Sequence, residues 1–137
     1  MSHYLDTSVV VSFFIRDDHA QSARRWAADN PLIAVSDWTL TEFTSALSHQ
    51  LRLGALTEKE RSAAERTFDR WISRQVVLEI TRERFRDARD LMMRHRRLRA
   101  PDALHLAVAR AAGLALATMD LDMRDAAVAE GMKVVDL

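Results

Sequence analysis

Near its start the chain reads His3-Tyr4-Leu5-Asp6-Thr7-Ser8-Val9-Val10-Val11-Ser12-Phe13-Phe14-Ile15. Tyr4 and Leu5 have strand character, Asp6 interrupts it, and the stretch from Ser8 to Ile15 is a mostly apolar run. This predicts a short strand over 3–6 that passes directly into an apolar helix over 7–15. A strand that turns at once into an apolar helix is the repeating unit of a sheet covered by helices on both faces.

The rest of the chain repeats that unit. A second helix is expected over 19–29, ending before Asn30-Pro31, and Leu32-Ile33-Ala34-Val35-Ser36 has a buried-strand pattern. Asp37 is positioned to cap a long helix that Gly54 stops. Thr57 and Glu60 have capping-box spacing and open a helix to about Arg74. Val76-Val77-Leu78-Glu79-Ile80 reads as a strand, and Thr81 starts a helix running over 84–98. Ala100-Pro101-Asp102 opens an Ala-rich helix that ends at Gly113. A strand over 114–118, a helix over 122–130 and a strand over 133–135 complete the alternation. The expected fold class is α/β, with a short, mostly parallel sheet, and ligands in such sheets bind outside the carboxyl ends of the strands.

Length and composition narrow the function. At 137 residues the chain makes one domain, spanning 1–137, with no linker or repeat. The absence of cysteine excludes disulfides, thiolate metal sites and a Cys nucleophile, so any metal must sit on oxygen or imidazole. No apolar run approaches the roughly 20 residues that span a bilayer, and there is no signal-peptide pattern; a soluble cytoplasmic protein is the expectation. The formal net charge of zero, taken whole, argues against a nucleic-acid partner. Counted in blocks, it does not. Residues 1–80 carry 9 basic and 11 acidic side chains, residues 81–99 carry 8 and 3, and residues 100–137 carry 3 and 6. A basic segment thus lies between acidic flanks, and arginine, which binds phosphate bidentately, supplies 18 of the chain's 20 basic side chains.

The acids fall in telling places on this map. Asp6 ends the first strand, Asp120 lies just beyond the strand over 114–118, and Asp102 is in the first turn of a helix. Glu42 sits about a turn and a half into the helix after the second strand. Leu40, Phe43, Leu47 and Leu51 form the apolar stripe of that helix, and Glu42 points away from it with Trp38, Ala46, His49 and Leu53. Four converging carboxylates repel strongly: two unit charges about 4 Å apart cost on the order of 4 kcal/mol at an effective dielectric near 20. Mg²⁺ or Mn²⁺, which prefer carboxylate and water oxygens, would relieve that repulsion and support displacement at phosphorus. Each acid also has a structural reading. Asp6 and Asp102 suit helix starts, Glu42 a solvated helix face, and Asp120 a turn.

Four segments taken together carry a resemblance: Tyr4-Leu5-Asp6-Thr7-Ser8-Val9-Val10, Thr41-Glu42-Phe43-Thr44-Ser45-Ala46-Leu47, Pro101-Asp102-Ala103-Leu104-His105-Leu106-Ala107 and Ala117-Thr118-Met119-Asp120-Leu121-Asp122. In order, spacing and total length they resemble the motifs of PIN-domain ribonucleases, and more narrowly the VapC-type toxins of bacterial toxin–antitoxin pairs. The resemblance implies a Rossmann-like α/β/α sandwich and a Mg²⁺- or Mn²⁺-dependent endoribonuclease that hydrolyses RNA with a cation-activated water. It also implies a cognate antitoxin and a homodimer. Asp6, Glu42, Asp102 and Asp120 would be the acidic quartet. Asp6 and Asp102 would hold the metal, with Asp120 and Glu42 completing the pocket directly or through water, so that Asp120 counts among the ligands. Thr7, Ser8 and Thr118 would be the hydroxyl residues of the substrate site. The sequence departs from the family's usual Asp-Lys-Asp-Phe ending at Asp120-Leu121-Asp122-Met123, where Asp122 reads as a helix cap.

Three uses remain open for Arg96, Arg97 and Arg99: binding RNA phosphates, offsetting a helix dipole, or docking an antitoxin segment. His105, among Leu and Ala neighbours, reads as a packed histidine, and Trp38 and Trp71 as core or interface residues. Two rival functions fit the sequence less well. A haloacid-dehalogenase-like phosphatase resembles Asp-x-Asp, but the residues here are Asp6-Thr7-Ser8. A non-catalytic RNA-binding or dimerisation module on a degenerate nuclease fold ranks below the enzyme, since all four acids are present.

Overall fold

A computed structural model describes residues 2–15 and 20–137. The expected helix start at His19 lies outside the described residues. In chain order the elements are β1 (His3–Leu5), α1 (Thr7–Ser12), α2 (Ala20–Asp29), β2 (Ile33–Ser36), α3 (Asp37–Arg52), α4 (Glu58–Ile72) and β3 (Val76–Leu78). They continue with α5 (Arg82–Arg94), α6 (Ala100–Ala111), β4 (Ala115–Ala117), α7 (Leu121–Ala129) and β5 (Val134–Val135).

The five strands form one sheet in the order β3-β2-β1-β4-β5, and every pairing is parallel. The chain moves outward from β1 to β3 and then crosses back to β4, so the order reverses between β1 and β4. That is the switch point at which open α/β sheets form a crevice. Alternation along the strands sorts side chains onto two cores. Tyr4 and Leu116 join Leu91, Leu106 and Met123 from α5, α6 and α7. Leu5, Val35 and Ala117 face Val9, Phe43, Leu47 and Phe68 from α1, α3 and α4. The result is a three-layer α/β/α sandwich. Its second core is aromatic: Phe43 stacks on Phe68 with centroids 3.9 Å apart, and Phe14 meets both rings edge-on. Trp71 packs against Phe13, Phe14 and Phe68 and Trp38 against the first core, so neither is a free stacking platform.

Several boundaries differ from the sequence reading for local reasons. Helix α1 ends at Ser12 because Phe13 and Phe14 donate three residues back, to Val10 and Val11, a tightened turn that points the aromatics into the core. Ser36, not Asp37, is the N-cap of α3, with Thr39 returning the capping-box bond; Asp37 is the first helical residue. The buried stripe of α3 is Thr39, Phe43 and Leu47, while Leu40 is exposed. The capping box of Thr57 and Glu60 forms as expected. Gly113, at φ +68°, ends α6 in the left-handed conformation that favours glycine.

The largest difference is at α5, which stops at Arg94 rather than 98. His95 leaves the helix at φ −126°, ψ 92°, and with Arg94 and Arg110 it reaches Glu130 beyond α7. Leu98 then turns inward and is buried. Arg96, Arg97 and Arg99 therefore lie in the connection between α5 and α6, and the helix-dipole reading fails for them, because that effect fades beyond the last turn. Among the described residues no helix is long and apolar enough to cross a membrane.

Candidate active site

Above the carboxyl ends of the strands, at the switch point, an open cleft of about 900 Å³ is lined by Asp6, Glu42, Asp102 and Asp120 together with Thr7, Ser8, Arg99 and His105. Val11, Ile15 and Met119 supply an apolar wall, and His49, Gln50 and Arg52 from the end of α3 form part of the rim. A smaller apolar hollow of about 320 Å³ at the opposite end of the strands, bounded by Leu32, Val76, Leu78 and Leu114, contains no acid.

Asp6 is 3% exposed and performs the capping role open to it in the sequence: Oδ1 accepts from the Val9 amide at 3.2 Å and the Ser8 hydroxyl at 2.8 Å. Its Oδ2 accepts from Thr118 Oγ1 at 2.5 Å. Burial raises the Asp6 pKa, and the bonds from Thr118 and Ser8 partly offset the rise. The same Thr118 oxygen accepts from the Asp120 amide at 3.0 Å, so this one buried hydroxyl ties the end of β1 to the loop after β4. Asp120 is the N-cap of α7, accepting from the Met123 amide at 2.8 Å. Asp122, expected to be that cap, instead lies in the first turn, 3.8 Å from Arg97.

Glu42 enters the cleft from α3, half-buried. Thr7 Oγ1 donates to its Oε1 at 2.7 Å, and His105 Nε2 makes a short contact with the same oxygen. Burial pushes the Glu42 pKa up, but His105 and Thr7 outweigh it and hold the carboxyl below its usual range. Asp102, at the start of α6, has no hydrogen-bond partner for its side chain among the described residues. Burial, and then the charges of Asp120 and Asp6, raise its pKa to about 6. The electrostatics are those of a site with more negative charge than its own cations neutralise.

Of the three arginines between α5 and α6, Arg99 reaches the cleft. Arg96 and Arg97 do not line it, and Arg97 is 87% exposed. His105 is buried, as its apolar neighbours indicated, yet every polar edge of its ring is engaged, including the edge facing Glu42. The signal for this is distributed: Tyr4 and Thr7 are buried polar residues on β1 and α1, and both approach His105. Among the described residues no three acid or imidazole side chains already stand together around a point where one ion could be held.

The PIN domain family model matches residues 3–129. No curated protein matches the sequence. Among solved structures, the chain is similar to VapC20 of Mycobacterium tuberculosis, described as a Sarcin-Ricin loop cleaving toxin, at 24% identity and TM-score 0.73, over 91% of this chain and 95% of that one. It is also similar to a chain of a toxin–antitoxin complex from Klebsiella pneumoniae, at 23% identity and TM-score 0.68, over 98% and 97%. A third is a chain of DNA-bound VapBC from Salmonella typhimurium, at 16% identity and TM-score 0.70, over 99% and 98%. With the parallel sheet, the acid-lined crevice at its switch point and a family match over nearly its whole length, the chain belongs to the PIN-domain family.

Proposed function

We propose that this cleft is the active site of a Mg²⁺-dependent endoribonuclease, with Mn²⁺ able to substitute, and that the protein is the toxin half of a VapBC-type toxin–antitoxin pair. The observation that carries the reading is the arrangement of four carboxylates on one cleft, with Asp102 unpaired among the described residues and its pKa raised to about 6 by burial and by its acidic neighbours. Such a donor set suits a hard divalent cation in kind: it is all oxygen, and its excess negative charge calls for a positive partner. Asp6, Asp102 and Asp120 would hold the ion, with Glu42 completing the pocket. When bound, the ion supplies Lewis acidity that activates water and offsets charge at phosphorus.

The residues contribute the rest. Ser8 and Thr118 fix the Asp6 carboxylate, and Thr7 fixes Glu42. Glu42, held ionised, serves as an oriented acceptor rather than a strong base. Arg99 offers phosphate a bidentate contact at the cleft, with Arg96 and Arg97 approaching from outside it. In the reaction a water oxygen bonds to phosphorus, one ester P–O bond breaks, and the departing ribose oxygen takes up a proton. The toxin–antitoxin neighbours favour a cognate antitoxin as partner; the homodimer rests on the family resemblance of the sequence.

The test is cleavage of end-labelled RNA by the purified chain, with Mn²⁺ or Mg²⁺ and with EDTA. The expected result is metal-stimulated cleavage that disappears in folded Asp6→Asn and Asp102→Asn. Undiminished cleavage in either variant, or equal cleavage in EDTA, would remove the assigned site.

A further inference from the structure

We propose that His105 is a positioning residue for Glu42, held in register by a buried hydroxyl relay through Tyr4 and Ser36; the catalytic consequence rests on the nuclease reading above. Tyr4 Oη lies 2.8 Å from Ser36 Oγ and 2.6 Å from His105 Nδ1, within hydrogen-bond reach of both. The opposite ring nitrogen, Nε2, contacts Glu42 Oε1 and lies 3.2 Å from Thr7 Oγ1. Tyr4 and Ser36 are 0% exposed and His105 is 2% exposed, so water does not compete for these bonds.

Packing alone accounts for none of these polar atoms. Phe at position 4 would fill the same space, and the Tyr4 hydroxyl adds only the bonds to Ser36 and His105. Leu at position 105 would suit a helix whose residues 103–109 are all buried and, apart from His105, all apolar. A buried imidazole costs free energy unless its nitrogens are bonded, and here both are. The relay also closes on itself. Ser36 is the N-cap of α3, the helix that carries Glu42. One path from Tyr4 therefore fixes the start of α3, and the other, through His105, fixes the Glu42 carboxylate on that helix. Glu42 has three side-chain torsions and stands half-buried at the cleft wall; anchoring at both ends removes that freedom. A facing nitrogen must present hydrogen to a carboxylate, so the anchored ring has one bond to make toward the cleft.

The test uses Tyr4→Phe, which removes one oxygen and keeps the ring, with His105→Leu and the conservative His105→Gln. Outer-shell partners of this kind typically matter by about 10–100-fold in metal affinity or activity. In Mn²⁺-supported RNA cleavage, His105→Leu should lower kcat by about 100-fold and Tyr4→Phe by about 10-fold, with KM for RNA within about twofold of the parent. His105→Gln, which keeps a donor, should recover at least half of the loss on a logarithmic scale. A folded His105→Leu with the kcat of the parent, or a Gln variant no better than Leu, would overturn the proposal.

The coupling is separately testable by NMR on the metal-free chain. The parent should show a low-field imidazole N–H proton that moves upfield in Glu42→Gln and shifts in Tyr4→Phe. No such resonance, or one indifferent to both changes, overturns the positioning role even if RNA is cut. If the resonance behaves as expected and no RNA is cut, the nuclease reading fails and the coupling stands.

Discussion

Replacing Asp102 by Asn should make the metal-free protein more stable while it destroys the proposed site. In the native cleft the Asp102 pKa is raised from 3.8 to about 6 by burial and by Asp120 and Asp6. For a fully buried group that rise would correspond to about 3 kcal/mol of unfavourable ionisation. The group is half-buried, and solvent screening reduces this to about 1–2 kcal/mol. Asn also gives up a favourable charge in the first turn of α6, worth about 0.5 kcal/mol. The net gain is about 0.5–1.5 kcal/mol, or a Tm higher by about 2–5 °C for a domain of this size. The pH dependence has a definite sign. Because the native pKa is raised, the native state holds more protons than the unfolded state between about pH 4 and 6, and Asp102 makes stability fall as pH rises through that window. The advantage of Asn should be full at pH 7.5 and shrink as pH is lowered from 6 to 4. Thermal melts by circular dichroism in EDTA at low salt measure it. Saturating Mn²⁺ should reverse the order, since only the parent gains binding stabilisation. An Asn variant that melts at or below the parent at pH 7.5 in EDTA would refute the crowding of charge on which the cation reading depends.

Further outcomes follow from the same geometry. Thr118→Val leaves buried Asp6 Oδ2 and the Asp120 amide without their shared partner, and should cost about 1–3 kcal/mol in denaturant unfolding, with weaker Mn²⁺ binding. Arg99→Ala should weaken RNA binding and flatten its salt dependence by about one ion, whereas Arg96→Ala and Arg97→Ala, outside the cleft, should each do less; equal slopes for all three would argue against Arg99 as the phosphate contact. Phe68→Ala removes the ring stacked on Phe43 and should destabilise the fold by about 3–5 kcal/mol, read from urea midpoints at constant m-value.

The alternation of strands and helices was legible because each strand is short, apolar and bounded by an acid, a capping residue or a glycine. Asp6 and Asp120 could be placed at the sheet edge for that reason alone. What could not be read were features decided by contacts distant in sequence. Helix α5 stops at Arg94 because Arg94 and His95 meet Glu130, some 35 residues away, and no local breaker marks the place. Asp120 rather than Asp122 caps α7 because Thr118 holds the Asp120 amide. His105 looked like packing because its helix neighbours are Leu and Ala, and its partners Tyr4 and Glu42 come from other elements. The stripe of α3 was shifted by one residue, to Thr39 from Leu40, because Ser36 takes the N-cap and Thr39 closes the capping box.

In the proposed reading, Asp6, Asp102 and Asp120 hold a divalent cation in the cleft at the switch point. Crystals grown or soaked with Mn²⁺ and measured at the manganese absorption edge test it most directly. An anomalous peak within coordination distance of Asp6 and Asp102, absent in Asp102→Asn, is the expected result. No peak there at saturating Mn²⁺, or a peak that persists unchanged in the Asn variant, would mean that these carboxylates are not the cation site.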